Sequence, residues 1–417
     1  MYYYIPNIII FILFVLFNPL YALPIAAVIS IITKKISNLL IALLYVLSFS
    51  LMFSNQVFQM ETDIGGYIEM YHMNQYYSYL DLIQKFLFNA NGTEFLYFFL
   101  NKSIGELLSY SSESFILITY IIIFGLASYL AFLHSQSADF NFSLILFSTI
   151  FVTMVFWNSG YNLFRNSIAA FSVLIGIHSY FQLKSKIISR IIIYSSALFH
   201  LSTLPVIGIF EIYIFFIYRG NKGDLITFKN VIKIILYVSI IIFLAIYINN
   251  SFINNDGISN IGIFTAGANK YDDSIAKTIE YSTYVRPIFL MYFAYMVYNW
   301  KNINHYELFI LSLIVILEVL SHLEGAFGIL YARATLTSTI AMFFIAIKVL
   351  KYLPDRYIVL FIVAVFTARI IILPTSSNSF FLERIALGEL FNPFYGLIYS
   401  IFYYYDPVFE GFLWNKY

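Results

Sequence analysis

The chain is a succession of apolar stretches long enough to cross a lipid bilayer, joined by short polar turns. A spanning helix needs about 17–25 such residues to traverse ~30 Å of hydrocarbon. Windows of this kind fall at 5–32, 36–54, 113–133, 142–157, 163–182, 188–204, 206–218, 229–249, 284–300, 306–321, 332–350, 357–373 and 391–405. Residues 94–110, EFLYFFLNKSIGELLSY, form a weaker, amphipathic candidate. The apolar runs are continuous rather than alternating, which excludes a transmembrane β-barrel. Composition agrees: 61% of residues are hydrophobic and 11% charged, where soluble domains are about 25% charged. The fold class expected is all-α, a polytopic integral membrane protein of about 13–14 transmembrane helices forming a single domain over 1–417. Residues 1–33 read as a retained first helix rather than a signal peptide, kinked at Asn18-Pro19.

A net charge of +1 argues against nucleic acid as a partner. With no cysteine, disulfides, thiolate metal sites and cysteine nucleophiles are excluded. Orientation follows from basic residues in short loops. Lys34 and Lys35, then Lys184, Lys186 and Arg190, then Arg219 and Lys222, then Lys301, and last Lys348, Lys351 and Arg356 mark cytoplasmic turns. Three larger segments, 55–93, 250–283 and 374–390, then fall on the extracytoplasmic side, provided 94–110 does not fully span. These are the places with room for substrate recognition.

An ionisable group near hydrocarbon costs roughly 2.5–3.5 kcal/mol on insertion scales, so each one needs a partner or a purpose. Arg165 opens an apolar helix after the external turn WNSGYN. A guanidinium stays charged and its fork matches phosphate oxygens bidentately, while free N–H groups at a helix start also favour an anion. A snorkelling interfacial arginine is the plainer alternative. His200 closes the stretch YSSALFH just before Pro205, at the same external end. A neutral imidazole there would serve as a general base, or would simply be a satisfied interfacial histidine. Arg333, in EGAFGILYARATL, is also at an external helix end, with His322 and Glu324 before it and Arg286, Arg369 and Arg384 near other external boundaries. Several external arginines suggest a polyanionic headgroup.

The segment 55–93 carries Glu61, Asp63, Glu69 and Asp81 against Lys85, and is dense in tyrosine. In TDIGGYIEMY, Asp63, Tyr67 and Tyr71 recur at four-residue intervals, on one face if the stretch is helical, although Gly65 and Gly66 weaken that helix. Carboxylates beside aromatic faces suit sugars; an interfacial aromatic belt with solvated acids would look the same. Glu94 opens the amphipathic segment, where the helix dipole favours an acid with or without chemistry. Asp272-Asp273 lacks the Asp-x-Asp spacing of metal-dependent sugar transferases, and no metal cluster is expected. His134, His178 and His305 read as structural.

Four stretches in order, TDIGGYIEMY, NGTEFLYFFLNK, YNLFRNSIAAFSVLIGIHSYFQLKSK and YSSALFHLSTLPVIGIF, give the chain a likeness over roughly residues 55–210. It resembles the EpsG/Wzy-type polysaccharide polymerases, integral membrane proteins that build bacterial exopolysaccharide and O-antigen. The resemblance implies a metal-independent membrane glycosyltransferase without a cofactor, acting on the external face of the cytoplasmic membrane. Undecaprenyl-pyrophosphate-linked oligosaccharides would be its substrates, with membrane lipids and a chain-length regulator protein as partners. Carried onto this chain, His200, Asp63 and Glu94 are the candidate catalytic groups, Arg165 and Arg333 the pyrophosphate ligands, and Tyr67 and Tyr71 the sugar platform. Two departures stand out: SNQVFQMETD lacks the arginine that often precedes the Thr-Asp pair, and Asn166 stands where glutamine is common. The alternative reading is a lipid-linked oligosaccharide flippase or other polysaccharide transporter, and a third is a sugar acyltransferase. A transporter should show polar residues at mid-membrane in two related halves, whereas Glu211 and Glu318 are the nearest cases here.

Overall fold

The computed structural model describes residues 5–33, 36–54, 58–59, 63–88, 94–138, 140–149, 163–182, 186–218, 236–244, 247, 288–321, 326–364, 397 and 409–410. The segments 250–283 and 374–390, the Asp272-Asp273 pair, Arg286, His322, Glu324, Arg369, Arg384 and most of the window 391–405 lie outside them. The described chain is all-α, apart from one two-residue parallel pairing of Phe58–Gln59 with Phe409–Glu410. Helix is the structure that satisfies every backbone donor and acceptor within its own segment, which apolar surroundings demand. Among the described residues, three helices are long and apolar enough to cross a membrane: Ser112–Ser137, Leu201–Tyr218 and Arg333–Tyr352.

The chain divides into two compact units. The first comprises Met1–Ser78, Leu100–Phe164 and Leu350–Tyr417. Its helices begin with α1 (Ile5–Leu16), α2 (Pro19–Thr33) and α3 (Asn38–Ser54). The apolar run 5–32 is two helices rather than one kinked helix. Asn18 is fully buried at the break, where its Oδ1 accepts the Leu20 N–H at 2.9 Å and takes up a donor orphaned at the start of α2. Within 55–93 the chain forms α4 (Asp63–Met73) and, belonging to the second unit, α5 (Tyr79–Phe88), so much of this segment is helical. Next come α6 (Phe95–Leu107), α7 (Ser112–Ala138) and α8 (Phe142–Phe147). An aromatic seam holds α3 to α7: Phe124 meets Tyr45 edge-on at 5.7 Å, Phe49 at 5.6 Å and Phe53 at 5.3 Å. At the end of α6, Ser109 and Tyr110 take positive φ of 53° and 57°, and the Tyr110 ring occupies the space where Gly105 lacks a Cβ.

The second unit comprises Tyr79–Phe99 and Arg165–Val349. Its scaffold is α9 (Leu163–Gln182), α10 (Lys186–Phe199), α11 (Leu204–Tyr213), α12 (Ile288–Tyr298), α13 (His305–Ser321) and α14 (Ala326–Ala346). α9 and α10 make a tight hairpin, in which a Cβ on Gly176 would stand 2.7 Å from Ile193 Cγ1 and 3.1 Å from Ser189 O. Small residues at such a crossing let two helix backbones approach closely. Arg190 on α10 pairs with Glu211 on α11 at 2.9 Å, and Tyr194 donates to the same carboxylate at 2.7 Å. Lys348, read as a turn lysine, is instead 1% exposed and pairs at 3.5 Å with Glu307, itself fed by the Tyr295 hydroxyl at 2.7 Å. His178 is buried and packs edge-on to Tyr306 at 4.8 Å.

Candidate functional site

Two breaks in helical structure bring distant residues together within the second unit. At the first, α9 begins at Leu163, so Arg165 lies in its opening turn. At the second, α10 ends at Phe199 and the chain turns before α11. Pro205 sits at the start of α11, where its missing N–H costs nothing, yet it could not continue α10 without a lost hydrogen bond and a clash. His200 occupies the gap in an extended conformation (φ −160°, ψ 132°) and caps a single 3₁₀ turn, Leu201–Thr203. Because α9 and α10 run antiparallel, the beginning of one lies beside the end of the other.

Glu94 completes the cluster from a third place in the chain. Its carbonyl accepts the Tyr97 N–H at 3.0 Å and starts α6, while its carboxylate reaches across 71 residues to Arg165. Arg165 Nη1 donates to Glu94 Oε2, and His200 Nε2 lies 3.6 Å from Glu94 Oε1. The three side chains expose 22% (Arg165), 12% (Glu94) and 6% (His200) of their surface, so the arginine is the most open to a ligand. The Arg165 guanidinium lies 5.9 Å from the centre of the buried Tyr97 ring.

A second tier holds the imidazole. Ser202 N–H donates to His200 Nδ1 at 3.1 Å, Ser202 Oγ lies 2.8 Å from the same nitrogen, and Ser202 Oγ donates to Asn166 Oδ1 at 2.6 Å. Thr203 Oγ1 donates to the His200 carbonyl at 3.0 Å. α14 packs on this turn and carries Arg333, whose charge reaches the His200 ring together with that of Arg165. Two guanidiniums thus act on a site with one carboxylate, an excess of positive charge suited to an anion. Among the described residues, no three of His, Cys, Asp or Glu are grouped to hold a metal ion.

The structure therefore brings Glu94, Arg165 and His200 side by side, with Arg333 close enough to act electrostatically. Tyr67 and Tyr71 belong to the first unit, on one face of α4, where they expose 2% and 0%. The Tyr67 ring stacks on Phe164 at 5.7 Å, and Tyr71 stacks on Phe115 at 4.4 Å. Burial pushes the Tyr71 phenol up to about 12, and its hydroxyl has no hydrogen-bond partner among the described residues. Asp63 begins the same helix; its side chain lies outside the described residues. Sequence reasoning did not assign roles to Tyr97, Asn166 or Ser202. The available signals were adjacency for Asn166, next to Arg165, and the Phe-His-x-Ser order for Ser202. No family model, curated protein or solved structure matches the chain.

Proposed function

We propose that the chain is a polytopic membrane glycosyltransferase that polymerises undecaprenyl-pyrophosphate-linked oligosaccharide repeat units. In this reading it works on the external face of the bacterial cytoplasmic membrane and builds O-antigen or exopolysaccharide. The observation that carries it is the convergence of Glu94, Arg165 and His200 in one mostly buried cluster, with the charge of Arg333 acting on it. Among the described residues three helices are long and apolar enough to cross a membrane, and one of them starts at the His200 turn, which supports a substrate carried on a lipid.

The chemistry asked of the residues is modest. A pyrophosphate is already a good leaving group, so the main demand is to stabilise the negative charge that develops as its bond to the anomeric carbon breaks. Arginine donors preorganised in a water-poor cleft meet that demand, and removing one such donor costs about 10²–10³ in rate. The acceptor sugar hydroxyl loses its proton as it attacks, and Glu94 and His200 are the groups at the cluster able to accept one. The test is the polysaccharide chain-length ladder of cells that depend on this protein. Arg165→Ala and His200→Ala are each expected to abolish long chains while the protein still inserts. Ladders matching wild type from both variants would refute the site.

A further inference from the structure

The proton positions at His200 separate the roles of the two candidate bases. A backbone N–H can only donate, so the 3.1 Å contact from Ser202 N makes Nδ1 an acceptor that holds its lone pair. The Ser202 hydroxyl leaves this unchanged whichever way it points, because its proton goes either to Asn166 Oδ1 or to that same Nδ1. The ring is then neutral, with its proton on Nε2, the nitrogen that faces Glu94 Oε1 at 3.6 Å. An imidazole in this tautomer presents a donor to the site and has no free lone pair there. Glu94 is the acceptor, but Arg165 holds it, and a carboxylate paired with a guanidinium is a poor base.

Resting on the polymerase reading, we propose that Glu94 is a displaceable counter-ion. A pyrophosphate group takes over Arg165, and the carboxylate so released becomes the proton acceptor, while His200 Nε2–H remains a hydrogen-bond donor. A pyrophosphate carries more charge than a carboxylate and fits the guanidinium fork equally well, so the exchange runs in its favour. The groups facing Glu94 are the Arg165 guanidinium on α9 and the neutral His200 ring on the turn, and Arg333 on α14 adds its field to that ring. The step then balances. The acceptor oxygen forms a bond to the anomeric carbon, its proton passes to Glu94, and the bond from that carbon to the pyrophosphate oxygen breaks. The electron pair stays with the pyrophosphate, beside Arg165 and Arg333. The base is thereby freed only when a donor substrate is in place, which guards a hydroxyl-activating group from idle water.

The test uses the full-length chain in detergent, with inorganic pyrophosphate as probe and polymer formation as a second readout. Glu94→Gln is expected to bind pyrophosphate about tenfold more tightly than wild type, because the competing charge is gone, and to make no polymer. His200→Gln, which keeps an N–H donor near the Nε2 position, is expected to retain roughly a tenth of the polymer yield, while His200→Ala retains none. Glu94→Asp, intermediate in both readouts, covers the case in which Glu94→Gln does not fold. Unchanged or weaker pyrophosphate binding by Glu94→Gln would overturn the counter-ion role. Polymer from Glu94→Gln with none from His200→Gln would return the base to His200. Should wild type bind pyrophosphate as expected and yet make no polymer, the polymerase reading fails while the exchange at Arg165 stands.

Discussion

Ser202 is the residue on which the site's order depends, although it bears no charge. Its backbone N–H fixes the imidazole and its hydroxyl satisfies the buried Asn166. Ser202→Ala leaves the N–H contact in place and strands the Asn166 carbonyl oxygen in a buried setting. It is expected to lower stability by about 1–3 kcal/mol, read as a fall in melting temperature, with the His200 tautomer retained. Arg165, His200 and Glu94 were legible in the sequence because an ionisable group at the edge of an apolar run is costly and needs an explanation. Asn166 and Ser202 were harder to see, since small polar residues cost little in a membrane helix and reveal a role only through geometry. The rings of Tyr67 and Tyr71 show the opposite difficulty. A four-residue aromatic spacing has the same form whether it faces a sugar or, as here, stacks on Phe164 and Phe115.

At the scale of elements, the α9–α10 hairpin delivers Arg165 and His200 to one end. Gly176→Ala would push a methyl group against the Ile193 side chain and the backbone at Ile193 N and Ser189 O, each backbone atom 3.1 Å away. Overpacking of this kind costs about 1–3 kcal/mol, so the variant is expected to melt earlier and to lose activity in proportion. A variant as stable and active as wild type would mean that the helices slide apart without consequence. A second element-scale expectation concerns α4, tied to α7 by a 2.8 Å contact between His72 Nε2 and Ser112 Oγ. Burial lowers the His72 pKa from its ordinary 6.5, partly offset by Glu113. The unfolded chain therefore takes up a proton before the folded chain does, and stability falls as pH drops through about 6.5. Between pH ~7.5 and ~5.5, His72→Gln is expected to lose less melting temperature than wild type; an equal loss would place the acid sensitivity elsewhere. Helix α9 was legible from 163 to 182 because its ends are marked by polar turns. α4 is not decided by sequence, because Gly65 and Gly66 speak against a helix and it is the burial of Tyr67 and Tyr71 that speaks for one.

At the scale of the whole molecule, the proposed reaction requires the site and its substrate to share the external side. The sequence has no cysteine, so single introduced cysteines report accessibility without background. Tyr76, 82% exposed in the segment 55–93, is expected on the external side, and the exposed Lys301 on the cytoplasmic side. In intact cells, a membrane-impermeant maleimide should label Tyr76→Cys and reach Lys301→Cys only after permeabilisation; the reverse pattern would invert the topology. All-helical architecture was readable from the continuous apolar runs. That Arg165 and His200 share one end was readable too; their contact with Glu94 was not, because it depends on how helices pack rather than on any local pattern. The most direct measurement of the central claim is to reconstitute the purified protein alone into lipid vesicles with polyprenyl-pyrophosphate-linked repeat units. The account predicts a ladder of products spaced by one repeat unit, with one polyprenyl pyrophosphate released for each bond formed. Substrate carried across the bilayer but never joined, or no product at all, would contradict it.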